Sequence, residues 1–159
     1  MNPWICDKWK SIYLNSNCRT GLRLKFDKCV HIEVKRASKE YCNWLRKIYC
    51  FQIRVPIYVK QKDKIKSMAG EMATGIFFAP YDKYVEPYIR VAAGDYEELL
   101  KEIGKDNALA AILCSITHEL THYFQWLNDL KQTHRSEEWQ ATYYSGRIVG
   151  AYAETKEHP

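Results

Sequence analysis

The 159-residue chain contains no uncharged apolar run of about 18 residues, so its sequence offers no membrane-spanning helix. Glycine and proline are scarce, at 7 and 5, which excludes collagen-like and linker-like chains. The six cysteines (Cys6, Cys18, Cys29, Cys42, Cys50 and Cys114) include no C-x-x-C pair. A zinc site from Cys6, Cys18, Cys29 and His31 matches no ligand spacing. The opening MNPWICDKWK puts an acid and two lysines where a secretion signal needs an apolar stretch. Reduced thiols, a cytoplasmic location and no membrane partner are therefore expected.

What is present is a globular composition, 47% apolar and 27% charged. Residues 1–159 are long enough for one domain with a real core and short for two. The net charge of +5 hides a polarity. Residues 1–66 carry 16 Lys and Arg against 5 Asp and Glu, or +11, and residues 67–159 carry 8 against 14, or −6. The basic half can pair with the acidic half or meet an anionic partner; because its lysines are scattered, internal pairing is the favoured reading and nucleic acid a secondary one.

Along the chain, Trp4, Trp9 and Tyr13 read as anchors onto a core. GLRLKFD and CVHIEVK alternate apolar and polar residues around Asp27-Lys28 and predict a hairpin. From Ser38 the period becomes helical, with Tyr41, Trp44, Leu45, Ile48 and Tyr49 on one stripe. FQIRVPIYVK reads as a strand that Pro56 places near an edge. KQKDKIKSM reads as a solvated basic connection. EMATGIFFAP and EPYIRVAAG read as two strands joined at YDKY. Asp95 opens a short helix ended by Gly104, and Asp106 or Asn107 caps a long helix running to about Leu130. KQTHRS is a loop, and EEWQATYYSGRIVGAYAE a final helix. The fold class expected is α+β, with a small, mostly antiparallel sheet.

Inside the long helix stands His118-Glu119-Leu120-Thr121-His122, an H-E-x-x-H motif. Residues i and i+4 lie one above the other on a helix, so both imidazoles can bind one ion. Zinc accepts such nitrogens at about 2.0–2.1 Å. Glu119 is rotated beside the open coordination position, where it can take a proton from water acidified by the ion. Ile112, Ile116, Leu120, Tyr123 and Leu127 supply an apolar face for the same helix. Tyr143 and Tyr144 could reach a developing oxyanion but read mainly as core aromatics. His31 reads as a half-buried strand residue, and His158 as a tail residue without a structural part.

HELTH, with helix, strands, active-site helix and an acid-bearing helix in that order, resembles the zincin metallopeptidases. The likeness is to the smallest gluzincins and, more loosely, to ImmA/IrrE-type and SprT-like proteases. The metzincin pattern is excluded, because Gln125 and Asn128 stand where it needs Gly and His. The resemblance implies a zinc-dependent peptidase, with the segment GIFFAPYDKYVEPYIRV supplying a sheet edge that binds protein or peptide substrate as an extended strand. It also implies a third ligand on the following helix. Glu138 shares a stripe with Ala141, Ser145, Ile148 and Tyr152, and its E-x-Q-A context is similar to the ImmA/IrrE-type pattern; the thermolysin pattern is absent. His134 and Glu137 are the alternatives. A competing function is a catalytically weak zincin-fold module that binds nucleic acid or a protein through the basic N-terminal half.

Overall fold

The computed structural model describes residues 1–12 and 19–159. Tyr13 and Cys18, named above, lie outside the described residues. The architecture is α+β. Its elements run α1 (Trp9–Ile12), β1 (Leu22–Phe26), α2 (Ile32–Ile48), β2 (Val55–Lys60), β3 (Ile65–Lys66), β4 (Met72–Ala73), β5 (Gly75–Phe78), β6 (Tyr88–Ala92), α3 (Tyr96–Ile103), α4 (Lys105–Leu127) and α5 (His134–Ala153).

The main sheet has the order β1-β2-β6-β5. It is mixed and not mostly antiparallel: β1–β2 and β2–β6 are parallel, and β5–β6 is antiparallel. The expected hairpin after β1 is absent. CVHIEVK instead leads into α2, where His31 is the N-cap and its side chain accepts from the Glu33 amide. The alternation of Val30, Ile32 and Val34 imitates a strand, yet Ile32 is 77% exposed. The decisive pattern is Val34, Ala37, Ser38, Tyr41, Cys42 and Leu45, all buried at helical spacing. With α2 as the crossover, β1 and β2 can run parallel.

β2 is central, contrary to the edge position that Pro56 suggested. Amides on a parallel strand point alternately to its two neighbours. The Val55 amide donates to Gly21 O on the β1 side, so position 56 faces β6, and the β2–β6 register begins only at Ile57. Pro56 therefore removes no ladder bond. The basic connection contains β3, which pairs antiparallel with β4 to make a small hairpin over residues 65–73. The YDKY turn between β5 and β6 is as expected.

Gly104, at φ 83°, ends α3 and opens α4, in place of a cap at residue 106 or 107. Asp106 instead meets His158 at 2.8 Å, so the tail histidine has a partner after all. Helix α4 stops at Leu127, with Asn128 as C-cap, and α5 begins inside the expected loop, where Thr133 accepts from the Ser136 amide.

The helices cover one face of the sheet. Leu22, Val55, Ile57, Val59, Ile89 and Val91 point into that interface, and α4 contributes Leu109, Leu113, Ile116, Leu120 and Tyr123 to it. Helix α4 is held in place by polar bonds as well. Tyr123 Oη donates to Ile53 O and accepts from Ile53 N, and Trp4 Nε1 donates to Thr121 Oγ1 at 3.0 Å. The five described cysteines are free thiols. No described helix is long and apolar enough to cross a membrane.

Candidate metal centre

The H-E-x-x-H helix, α4, is packed between the sheet and α5. Buried Ile112, Ile116, Tyr123 and Leu127 hold one side of it in the core. This turns His118 and His122 toward α5, with ring centroids 4.9 Å apart. From α5, Glu138 meets both: its Oε2 lies 3.1 Å from His118 Nε2 and its Oε1 lies 3.0 Å from His122 Nε2. Ligand atoms of the three residues all lie within 4.8 Å of one another. Among the described residues this is the one such group of His, Cys, Asp or Glu, and it could hold a metal ion. Two imidazoles and one carboxylate leave a fourth position open, the donor set of a catalytic zinc site.

Glu137 and His134, the alternative third ligands, line the same cleft but stand outside the cluster. Tyr143 is turned away, its ring stacked on Trp139 at 5.3 Å, and Tyr144 Oη is directed to Met1 O. Neither lines the cleft, so neither is placed to meet an oxyanion there.

Glu119 is 7% exposed and lies on the cleft floor. Its carboxyl is pushed up to about 8, first by loss of water and then by the negative charge of Glu138. The His118 imidazole is shifted down by burial and by neighbouring His122, against the pull of Glu138, which favours the neutral form a metal needs.

The cleft measures about 980 Å³ and is walled by β5, the β3–β4 hairpin tip at Ser67–Ala69, α4 and the start of α5. Strand β5 is the open edge of the sheet. Because Ala92 N donates to Thr74 O, alternation along the antiparallel ladder leaves the backbone groups of Gly75 and Phe77 on that open side. The Phe77 side chain packs edge-on against Tyr123 and Trp126 of α4.

Three contributors escaped the sequence reading. Gly75 lies against Glu119. Gln125 Oε1 contacts His122 Nδ1 at 2.8 Å. Gln140, buried on α5, bonds to Gln125. Comparison with family models, with curated proteins and with solved structures finds no match for the chain.

Proposed function

We propose that the protein is a zinc-dependent metallopeptidase of the gluzincin type that hydrolyses peptide bonds of a protein or peptide. His118, His122 and Glu138 hold the ion, and Glu119 is the general base. The observation that carries this reading is a buried carboxylate, Glu119, beside three convergent ligands at the floor of a cleft with an open strand along its wall. A purely structural ion has no use for that carboxylate. When bound, zinc supplies Lewis acidity that acidifies water and polarises a carbonyl.

The chain's own groups supply the rest. Strand β5 offers main-chain bonds to an extended peptide at Gly75 and Phe77, which aligns the scissile bond without demanding one side chain. Glu119 takes a proton from the attacking water as the oxygen adds to the carbonyl carbon. As the C–N bond breaks, Glu119 gives that proton to the leaving amine. The test is cleavage of a denatured protein library by the purified protein with and without a chelator. Zinc-restored cleavage supports the reading, and zinc-loaded protein that cleaves nothing refutes it.

The binding-module reading has one observation in its favour. The sheet face away from the helices carries Arg23, Lys25 and Arg90, which have no carboxylate partner among the described residues, beside Tyr58 and Tyr88. Lys60 and Arg36, by contrast, are paired, Lys60 with Asp27 and Arg36 with Glu33 and Glu40. Nucleic-acid binding that falls steeply with salt would mark this face as a docking surface.

A further inference from the structure

A chain of hydrogen bonds runs from the N-terminal segment to the metal centre, and its polarity is fixed by groups that can act in only one sense. Met1 O and Glu137 O are carbonyl oxygens and can only accept. Gln140 Nε2 donates to Met1 O at 2.9 Å, so Gln140 Oε1 must face the other way, toward Gln125. Gln125 Nε2 donates to Glu137 O at 3.1 Å and to Gln140 Oε1 at 2.9 Å. Both amide hydrogens of Gln125 are then used, and its Oε1 is the atom presented to His122 Nδ1 at 2.8 Å. Flipping the Gln125 amide would set oxygen against oxygen at Glu137 and at Gln140. Both glutamines are buried, at 4% and 8% exposure, so water cannot relieve such a mismatch.

From this geometry we infer that Gln125 is a positioning residue that holds His122 as its Nδ1–H tautomer, with the Nε2 lone pair aimed at the ion. The inference rests on the metallopeptidase reading for its consequence, but the tautomer itself does not depend on a bound metal. In free neutral histidine the other tautomer, with hydrogen on Nε2, would block the ligand atom. His122 Nε2 also faces Glu138 Oε1 at 3.0 Å, so in the neutral Nδ1–H tautomer a ring lone pair and a carboxylate oxygen converge on one point. The relay thus leaves the pair set for an ion. His118 has no comparable amide partner among the described residues; it meets Glu138.

The relay also ties the site to the N-terminal segment. Trp4 is buried against Tyr49, Phe51 and Phe124, and Asn128 Oδ1 accepts from the Trp9 amide. These contacts hold Met1 O where Gln140 needs an acceptor. Gln140 acts one bond further out than Gln125, since Glu137 O alone still orients the Gln125 amide.

The test compares the wild type with Gln125→Met and Gln140→Met, each checked for folding by thermal unfolding. Nitrogen-15 NMR of the metal-free proteins at pH 8 reads the His122 tautomer, and competition with a chromogenic chelator reads zinc affinity. The wild type is expected to show hydrogen on Nδ1. Gln125→Met should shift His122 toward the Nε2–H form and weaken zinc binding by about 10–100-fold, the usual effect of losing such an outer partner. Gln140→Met should keep the tautomer and lose much less affinity. A wild type with hydrogen on Nε2, or a folded Gln125→Met with unchanged tautomer and unchanged affinity, overturns the proposal. A wild type with the Nδ1–H tautomer that takes up no zinc instead overturns the metallopeptidase reading and leaves the positioning role standing.

Discussion

Gly75 of β5 and Glu119 of α4 are fitted to each other. A Cβ added at Gly75 would lie 3.0 Å from Glu119 Cγ and 3.3 Å from its Oε1, with Arg90 O also at 3.3 Å. The glycine is required for space and not for its backbone angles. A strand without a side chain at this point can pass this close to Glu119, the proposed general base.

Gly75→Ala should therefore displace Glu119 by a few tenths of an ångström or tilt β5 away from α4. Misplacing a catalytic group by about 1 Å costs up to about 100-fold, so a loss of about 10- to 100-fold in kcat is expected. Zinc content should not change, because no ligand touches Gly75. Equal losses of zinc and activity would show that the glycine serves the fold and not the base.

Glu119→Gln should abolish peptide hydrolysis and leave zinc content intact, since in the proposed mechanism the side chain carries a proton and does not bind the ion. The same change should stabilise the metal-free protein at neutral and higher pH. A carboxyl whose folded value of about 8 exceeds its ordinary 4.5 makes the folded state bind more protons than the unfolded state between those pH values. Stability then falls as pH rises from about 4.5 to about 8, by on the order of 3 to 5 kcal/mol. The neutral amide lacks this dependence. Urea unfolding of both metal-free proteins at pH 5 and pH 8 checks it: the variant should gain little at pH 5 and most at pH 8.

How much of this was legible beforehand follows from whether each signal is local. The His118–His122 pair and its glutamate sit within five residues of one helix, and helical spacing alone puts them together. Glu138 could be chosen over Glu137 because it shares the stripe of Ala141, Ser145 and Ile148 that packs on α4. Sheet order was not legible. β1 pairs with β2 across the whole of α2, and a five-residue alternation around His31 imitated the second strand of a hairpin. Pro56 misled for a related reason, since only the register shows that its missing amide faces a stretch where the ladder has not begun. Gly75 and Gln140 looked like an ordinary strand glycine and an ordinary helix glutamine. Their meaning lies in contacts with Glu119 and Gln125, which sequence spacing does not reveal.

Trp4 is the most consequential anchor of the N-terminal segment. It is 3% exposed, meets Tyr49 edge-on and Phe124 at a tilt, and donates through Nε1 to Thr121 inside the H-E-x-x-H motif. Trp4→Ala should cost about 3–5 kcal/mol, as large aromatic truncations in cores do. Trp4→Phe keeps most of the apolar contact and loses the indole bond, so about 1–2 kcal/mol is expected. Chemical denaturation of the three proteins measures both. A Trp4→Ala loss below about 1 kcal/mol would mean that the segment is not docked on α4 as described.

Glu138 decides the subclass of the site. It is the most exposed of the three candidate ligands, at 45% of its side chain against 26% for His118 and 15% for His122, yet its two oxygens meet both imidazoles. In the metal-free protein His118 Nε2 can donate to Glu138 Oε2, and in the Nδ1–H tautomer His122 turns a lone pair toward Oε1. Glu138→Ala leaves two protein ligands where catalytic zinc sites keep three, so affinity should fall by at least about 100-fold. Glu137→Ala and His134→Ala remove side chains that line the cleft without joining the cluster, and affinity should change by less than about threefold. Zinc should also raise the unfolding temperature of the wild type and of these two variants, but not of Glu138→Ala, because an ion that binds only the folded state adds its binding free energy to the fold. Competition with a chromogenic chelator, run on the three variants side by side, makes the comparison. Strong loss in His134→Ala with Glu138→Ala nearly intact would move the third ligand to the start of α5 and make the site SprT-like, while His118, His122 and Glu119 kept their roles.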